Sequence, residues 1–430
     1  MYKLFAAVAL LTIAASGSFG QTMTTDWMSE ADRTRYEELR RSGLEALYNL
    51  DYEKARREFT EIDKLLPEHP AGPMLLASRL WVKTLYESRR LQTSLYSSDS
   101  FYKKGDDKAD PKVVTEFRNL TREAKRRADA RLKIHPKDIE ALEFLGATAG
   151  VKASFEEAVE RRHFAAIRDG SEAVDRYRDV LKLDPNYVDA QLTIGLYDYV
   201  VGSLPPLQKL LAGIAGHRGS KKRGIAGLER VAKEGRWSRD DAKSLLILLY
   251  KRERRYNDAL TLARELSAKH PRNYLLRLET ADALVLLAGE QRKLGHMVEA
   301  QKAEQEAFKT FDDLLRDRSV RDTVSKALDL VHFKYGEVLF NAGQGERAAN
   351  EFIAATKVDG AEASLVTISH LYAARALDLA GKRNDAMSYY RTVLTRPDIF
   401  DAHDGAKKGL REPYKIEVRQ AMNQTSVDEK

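Results

Sequence analysis

Residues 43–59 read Gly43-Leu44-Glu45-Ala46-Leu47-Tyr48-Asn49-Leu50-Asp51-Tyr52-Glu53-Lys54-Ala55-Arg56-Arg57-Glu58-Phe59, with Ile62 and Pro67 beyond. Gly43 is followed after twelve positions by Ala55, after four more by the aromatic Phe59, after three by Ile62 and after five by Pro67. The spacing returns at Gly336, Ala348, Phe352 and Ala355, with Gly360 in the proline place, and at Ala374, Ala386, Tyr390 and Val393, with Pro397 one residue early. Ile247, Ala259, Ala263, Leu266 and Pro271 form a copy with alanine for the aromatic. Half-copies stand at Ala124, Ala128, Pro136 and at Ala173, Tyr177, Val180, Pro185. Two antiparallel helices approach closely only where their crossing carries Gly or Ala, and an aromatic fills the wedge beside it. The proline then ends the second helix and directs the chain onward.

This spacing resembles the tetratricopeptide repeat, a helix-turn-helix of about 34 residues that stacks into a right-handed superhelix. The resemblance covers most of residues 30–410 and is strongest at 36–69, 240–272 and 329–398. It implies an all-α, tetratricopeptide-like helical-hairpin solenoid with irregular insertions. The competing reading is an unrelated helical bundle with accidental alanine periodicity. The expected organisation is a lead-in at 21–35, N-terminal repeats over 36–235 with a polar insertion at 97–111 (SSDSFYKKGDDKADP), and C-terminal repeats over 236–410. Residues 401–410 are expected as a capping helix, and the interval between Gly146 and Ala173 predicts a lengthened helix pair. The polar tail at 411–430 lacks an apolar face after Tyr414 and Val418 and is expected to fray.

Hydrophobic residues make up 43% of the 430, and proline numbers only 11, which excludes a disordered chain and favours helix. Residues 1–20 read as a secretory signal peptide: Lys3 supplies the positive start, Leu4 to Ala15 the apolar stretch, and Ser16-Gly17-Ser18-Phe19-Gly20 small residues at cleavage spacing. The chain is therefore expected to be exported, periplasmic first and otherwise secreted, since it has no cysteine for extracellular disulfides. The same absence removes thiolate catalysis and thiolate metal ligation. No later stretch approaches about eighteen uninterrupted apolar residues, so no transmembrane segment is expected after the signal. The net charge of +7 arises from 72 basic and 65 acidic residues, a mixed surface without the dense basic stripe of a nucleic-acid binder, so no nucleic acid is expected as partner.

Residues 212–224, AGIAGHRGSKKRG, look like a phosphate-cradling loop. Such a loop needs Gly, four residues, then Gly-Lys-Ser/Thr between a strand and a helix. Here Ser220 precedes Lys221, the Gly213–Gly219 interval is one residue too long, and Ile225 follows Gly224 where lysine is required. The stretch reads better as a helix–helix connection with a basic rim, whose substitution is expected to be neutral. The alternative is an anion- or polysaccharide-binding role for 217–223 through Arg218, Lys221, Lys222 and Arg223. Leu204-Pro205, Leu210-Leu211, Gly216, Ser220-Lys221-Lys222-Arg223-Gly224-Ile225 and Leu228, with Ala242, Leu246 and Tyr250, are similar to the middle of the inclusion-body clearance family of tetratricopeptide proteins. Ser220 and Lys221 depart from the Asp and Arg usual there, and the resemblance implies only architecture, a long hairpin capping an internal groove.

Enzymatic chemistry finds little support. The nine histidines lie at least 26 residues apart, so no two share a helix face at one-turn spacing. His69, His135 and His270 sit beside repeat-end prolines, where a basic group meets a helix C-terminus. No Gly-x-Ser-x-Gly elbow occurs. The pairs Glu156-Glu157, Asp240-Asp241 and Asp312-Asp313 are adjacent, point about 100° apart on a helix, and are expected to be first-turn or solvated charges. No catalytic residue, metal or cofactor is assigned, and a non-enzymatic scaffold is expected.

The repeat resemblance puts the inward positions of the first helices at Arg40, Leu44, Leu47 and Tyr48; at Leu192, Leu196 and Tyr199; at Ser244, Lys251 and Arg252; and at Phe333, Glu337, Phe340 and Asn341. Arg40, Tyr48, Tyr199, Lys251, Arg252, Phe333, Glu337 and Asn341 are the candidate contacts to a protein or peptide partner, a mixture that suits an extended peptide or a helix. The competing role for each is packing against a neighbouring helix. The Lys/Asn clamp by which some tetratricopeptide domains hold a chaperone's terminal carboxylate is missing, since Leu44 takes the expected Asn position.

Overall fold

The computed structural model describes residues 28–88, 91, 110–214, 218–317 and 327–415. The stretch expected as a signal peptide, nearly all of the 97–111 insertion and the tail beyond Lys415 lie outside the described residues. Among the described residues the regular elements are helices: α1 (Glu30–Tyr48), α2 (Tyr52–Leu65), α3 (Ala71–Glu87), α4 (Pro111–Ile134), α5 (Ile139–Ala158), α6 (His163–Leu183), a 3-10 turn (Val188–Ala190), α7 (Gln191–Gly202), α8 (Pro206–Ile214) and α9 (Lys221–Glu234). They continue as α10 (Arg239–Arg252), α11 (Tyr256–Lys269), α12 (Tyr274–Lys293), α13 (Met297–Arg316), α14 (Leu328–Asn341), α15 (Gly345–Thr356), α16 (Ala363–Leu379), α17 (Arg383–Leu394) and α18 (Ala402–Arg411).

Local sequence sets the helix ends. Ser29, Asp51, Asp110, Asp138 and Ser220 cap α1, α2, α4, α5 and α9 with side-chain oxygens that accept backbone N–H groups, and Pro111 opens α4. Five hairpin turns share one design, three residues with the middle one left-handed: Leu50, Arg254, Gly295, Gly343 and Gly381, with φ from 58° to 80°.

The crossings obey the sequence spacing. A Cβ on Gly43 would run into the Phe59 ring, one on Gly336 would lie 2.7 Å from the Phe352 ring, and one on Gly146 would lie 2.9 Å from the Tyr177 ring. Ala55, Ala348, Ala374 and Ala386 are fully buried. Small residue against aromatic at the hairpin crossing makes these tetratricopeptide-like helical hairpins. α5 and α6 are long, at 20 and 21 residues, but α12 and α13 match them at 20 each, and α18 is a helix where the capping segment is expected.

The chain divides into two compact units between Leu287 and Ala288. The 235/236 position, expected as a domain boundary, lies inside the first unit. Asp189 accepts hydrogen bonds there from the backbone N–H groups of Arg236 (3.1 Å) and Ser238 (3.0 Å), which ties that connection to the helices before it.

In the first unit α3, α5 and α10 are buried on nearly every face, not along one stripe. The chain also returns on its own beginning. Tyr48 donates to Asp241, its ring stacks on His270 at 4.8 Å, and Asn273 Nδ2 donates to the Tyr48 carbonyl at 2.7 Å. In the second unit Phe333, Phe340, Phe352 and Tyr372 form one aromatic cluster with ring centroids 5.4 to 6.4 Å apart.

Candidate functional site

The inward positions of the first unit are occupied by the fold itself. Arg40 is fully buried, its guanidinium 4.4 Å from the centre of the Trp237 ring and 5.7 and 5.8 Å from those of Tyr36 and Phe144, with Nη1 donating to the Tyr36 hydroxyl at 2.9 Å. Glu143 accepts from Tyr187, and burial raises its carboxyl to about 8 against the pull of the Arg40 charge. Tyr199 is buried, and its hydroxyl donates to Glu253 at 2.8 Å. Lys251 lies 2.5 Å from Glu279 and 2.9 Å from Asp282; although burial pulls its ammonium down, these two carboxylates hold it above the ordinary lysine value. Tyr48 is half-buried at the α1–α10 contact, and Arg252 is exposed at the end of α10.

Asp240 and Asp241 stand in the first turn of α10, but neither is solvated: both are buried. Against its burial, Asp240 is held down at about 2 by hydrogen bonds from His270 (2.8 Å) and Lys269 (2.7 Å). Burial and the neighbouring Asp240 push Asp241 well above the carboxylate range. Glu156 and Glu157 are likewise buried, whereas Asp312 and Asp313 are half-exposed. His135 and His270 cap α4 and α11 as expected; His69 instead accepts the Ala71 N–H at Nδ1 and places Nε2 3.3 Å from Glu140.

The glycines beside the basic stretch are helix-crossing residues. A Cβ on Gly224 would lie 2.5 Å from the Gly195 carbonyl oxygen and 2.6 Å from the Tyr199 nitrogen, so α7 and α9 touch backbone to backbone. Gly219 meets the Asp198 carbonyl at 2.6 Å in the same sense. Two of the four candidate cations are engaged: Arg223 pairs with Asp198 (Nη2, 2.5 Å) and Lys221 with Glu253 (2.9 Å). Arg218 and Lys222 are exposed. Arg223 is therefore not a neutral rim residue, because Asp198 is buried and depends on it. The recurrence of small residues on two nearby helices, Gly195 and Gly202 against Gly224 and Gly227, is the signal for this crossing.

In the second unit Phe333 is buried in the aromatic cluster, Glu337 accepts from Lys334 at 2.6 Å, and Asn341 is exposed where α14 ends. Three residues that spacing did not single out complete this face: Arg375, Asp378 and Tyr414. The tail does not fray at its start. Glu412 is extended (φ −142°, ψ 144°), the Tyr414 N–H donates to Asp378 Oδ2 at 2.7 Å, and the Tyr414 ring lies 5.8 Å from Phe340. The Arg375 guanidinium stands 5.2 Å from both the Tyr372 and Tyr414 rings. Extended chain thus lies against α14 and α16, held by an aromatic ring on a cation and by a backbone N–H on a carboxylate. The one aromatic residue in an otherwise polar tail was the available clue.

No family model matches this chain, and no curated protein matches it. Among solved structures it is similar to the human IFIT1 dimer with PPP-AAAA (TM-score 0.44, 14% identity, covering 99% of this chain and 92% of that one). It is similar also to yeast Tom70 (TM-score 0.33, 10% identity, 93% and 91%) and to TTC0263, a thermophilic tetratricopeptide protein of Thermus thermophilus (TM-score 0.32, 18% identity, 58% and 99%). At these scores the likenesses decide nothing about function, and the fold rests on the helix crossings described above.

Proposed function

We propose that this chain is an exported, non-enzymatic helical-repeat scaffold whose second unit binds an extended segment of a protein partner on the face made by Phe340, Tyr372, Arg375 and Asp378. The observation that carries this reading is Tyr414, whose backbone and ring already occupy that face as a peptide would. A preformed surface leaves the ordering cost to the ligand, and a ring over a guanidinium beside a carboxylate that takes a backbone N–H gives both register and side-chain preference. The apolar stretch Leu4 to Ala15 behind Lys3 supports export.

The test uses the chain ended at Arg411, which keeps α18 whole and vacates the face, and a labelled peptide of residues 411–418 (REPYKIEV). The peptide is expected to bind, and the peptide with alanine for tyrosine to bind about tenfold or more weakly, as for an aromatic anchor. Arg375→Gln in the chain should weaken the first peptide as well. Equal retention of both peptides would remove the reading. Crosslinked capture from an envelope fraction with the vacated chain then identifies the partner.

A further inference from the structure

Helix α8 does not follow the repeat plan. Its sequence, Pro206-Leu207-Gln208-Lys209-Leu210-Leu211-Ala212-Gly213-Ile214, sets Leu207, Leu210, Leu211 and Ile214 at the spacing of one helix face. Leu204, just before it, is buried, but Leu207 and Leu210 are 69% and 62% exposed. A Cβ added to Gly213 would meet nothing within 4 Å. Charge supplies a second, independent observation. From Tyr199 to Leu228 no acidic residue occurs, while Lys209, Arg218, Lys221, Lys222 and Arg223 all fall in that span. All five are exposed; Arg223 and Lys221 pair with Asp198 and Glu253, and Lys209, Arg218 and Lys222 stand outside those two pairs. Gly202 gathers part of this set, for Lys209 Nζ donates to its carbonyl at 3.2 Å and a Cβ on it would run into the backbone nitrogen of Lys221. The cation of α8 and the first residues of α9 therefore meet at one end of α7.

We propose that α8 is an interfacial helix whose leucine face enters the headgroup–acyl boundary of an anionic lipid membrane, with Lys209, Arg218 and Lys222 at headgroup level. Nine residues are too few to span a bilayer, and leucines beside cations suit a helix that lies in the interface plane. An anionic bilayer supplies an apolar layer and negative charge together, the complement of an apolar face embedded in an acid-free run of sequence. The surface is independent of the peptide face, which lies in the other unit.

The experiment is co-sedimentation with vesicles of phosphatidylcholine, with and without phosphatidylglycerol. It is run on the full chain and on the chain from Gln21, the latter so that the apolar residues 4–15 contribute nothing. Binding is expected to phosphatidylglycerol vesicles, with little to phosphatidylcholine alone. Leu207→Glu with Leu210→Glu should abolish it. Arg218→Gln with Lys222→Gln should weaken it about thirtyfold, from about fivefold per cation near an anionic surface. All four side chains are exposed, so thermal melts should be unchanged. Equal partitioning to both vesicle types, or leucine variants that bind like the parent, would overturn the proposal. So would a chain that ignores vesicles but dimerises through these leucines, which would make a second copy the occupant.

Discussion

In the hairpin α1–α2, Gly43 lies on the Phe59 ring and Leu50 makes the turn; in α14–α15, Gly336 lies on Phe352 and Gly343 makes the turn. The two pairs cross by the same rule, yet their surroundings are unlike. Beside α1 the first unit buries Arg40, Glu143, Asp240 and Asp241. Beside α14 the second unit buries mainly rings, together with Asp329 and Lys334 of α14 itself, and Arg375 and the buried carboxylate of Asp378 lie under Tyr414. The repeat spacing dictates how the helices of a pair meet and leaves the filling of the inner side free. That side can therefore be spent on closing the unit, as in the first, or kept as a face that accepts extended chain, as in the second.

The largest expected difference between the units is in pH response. Glu143 has its carboxyl raised from 4.5 to about 8, and Asp241 is raised as well. A raised carboxyl favours the protonated folded state, so its contribution is complete below the unfolded value and is lost as pH rises through the folded one. For Glu143 that window runs from about 4.5 to about 8, with a slope of up to about 1.4 kcal/mol per pH unit. Asp240, lowered from 3.8 to about 2, acts in the opposite sense: its contribution is present above 3.8 and is lost as pH falls through about 2. The first unit should therefore be most stable in mild acid and weaken toward alkaline pH. Hydrogen exchange read on peptides from each unit should show protection falling with pH in residues 28–287, with a flatter profile in Glu143→Gln. An equal decline in both units would break the contrast.

The crossings should behave alike where the interiors differ. Gly43→Ala and Gly336→Ala each drive a Cβ into a buried ring, and each should cost about 1–3 kcal/mol despite alanine's better helix propensity. A tolerated Gly336→Ala beside a damaging Gly43→Ala would mean that the shared spacing hides two different packings. These crossings were legible in the sequence because both partners of each contact lie within one hairpin. The burial of Asp240 and Asp241 was not, since it depends on α1 meeting a helix 193 residues away in sequence. The inward side of the first helices was legible as a position but not as an environment: spacing placed Arg40, Tyr199 and Lys251 there, and long-range packing then covered them. Glycines beside lysines look alike whether they cradle a phosphate or let two helices touch. Only Gly195, on another helix, distinguishes the cases, and Asp198 on that helix is also what makes Arg223 structural.

The smallest expected effect lies in the turns, where the units solve one backbone problem with different residues. Leu50 (φ 61°) and Arg254 (φ 58°) adopt a left-handed conformation that Gly343 (φ 76°) and Gly381 (φ 74°) adopt in the second unit. An L-residue there costs about 1–2 kcal/mol relative to its right-handed state, and glycine escapes that cost but loses more freedom on folding. Arg254→Gly should therefore stabilise the first unit slightly, by about 1 kcal/mol or less, and Gly343→Ala should destabilise the second by about 1 kcal/mol. A Cβ on Gly343 meets nothing within 4 Å, so a loss there reports backbone strain alone. Leu50 is the less clean probe, since its half-buried side chain packs against the core of the first unit and Leu50→Gly would remove that contact as well. If Arg254→Gly were destabilising while Gly343→Ala behaved as expected, the arginine side chain would be contributing more than its backbone costs. The first unit's turns would then belong with its charged interior, as places where polar contacts outweigh local preference.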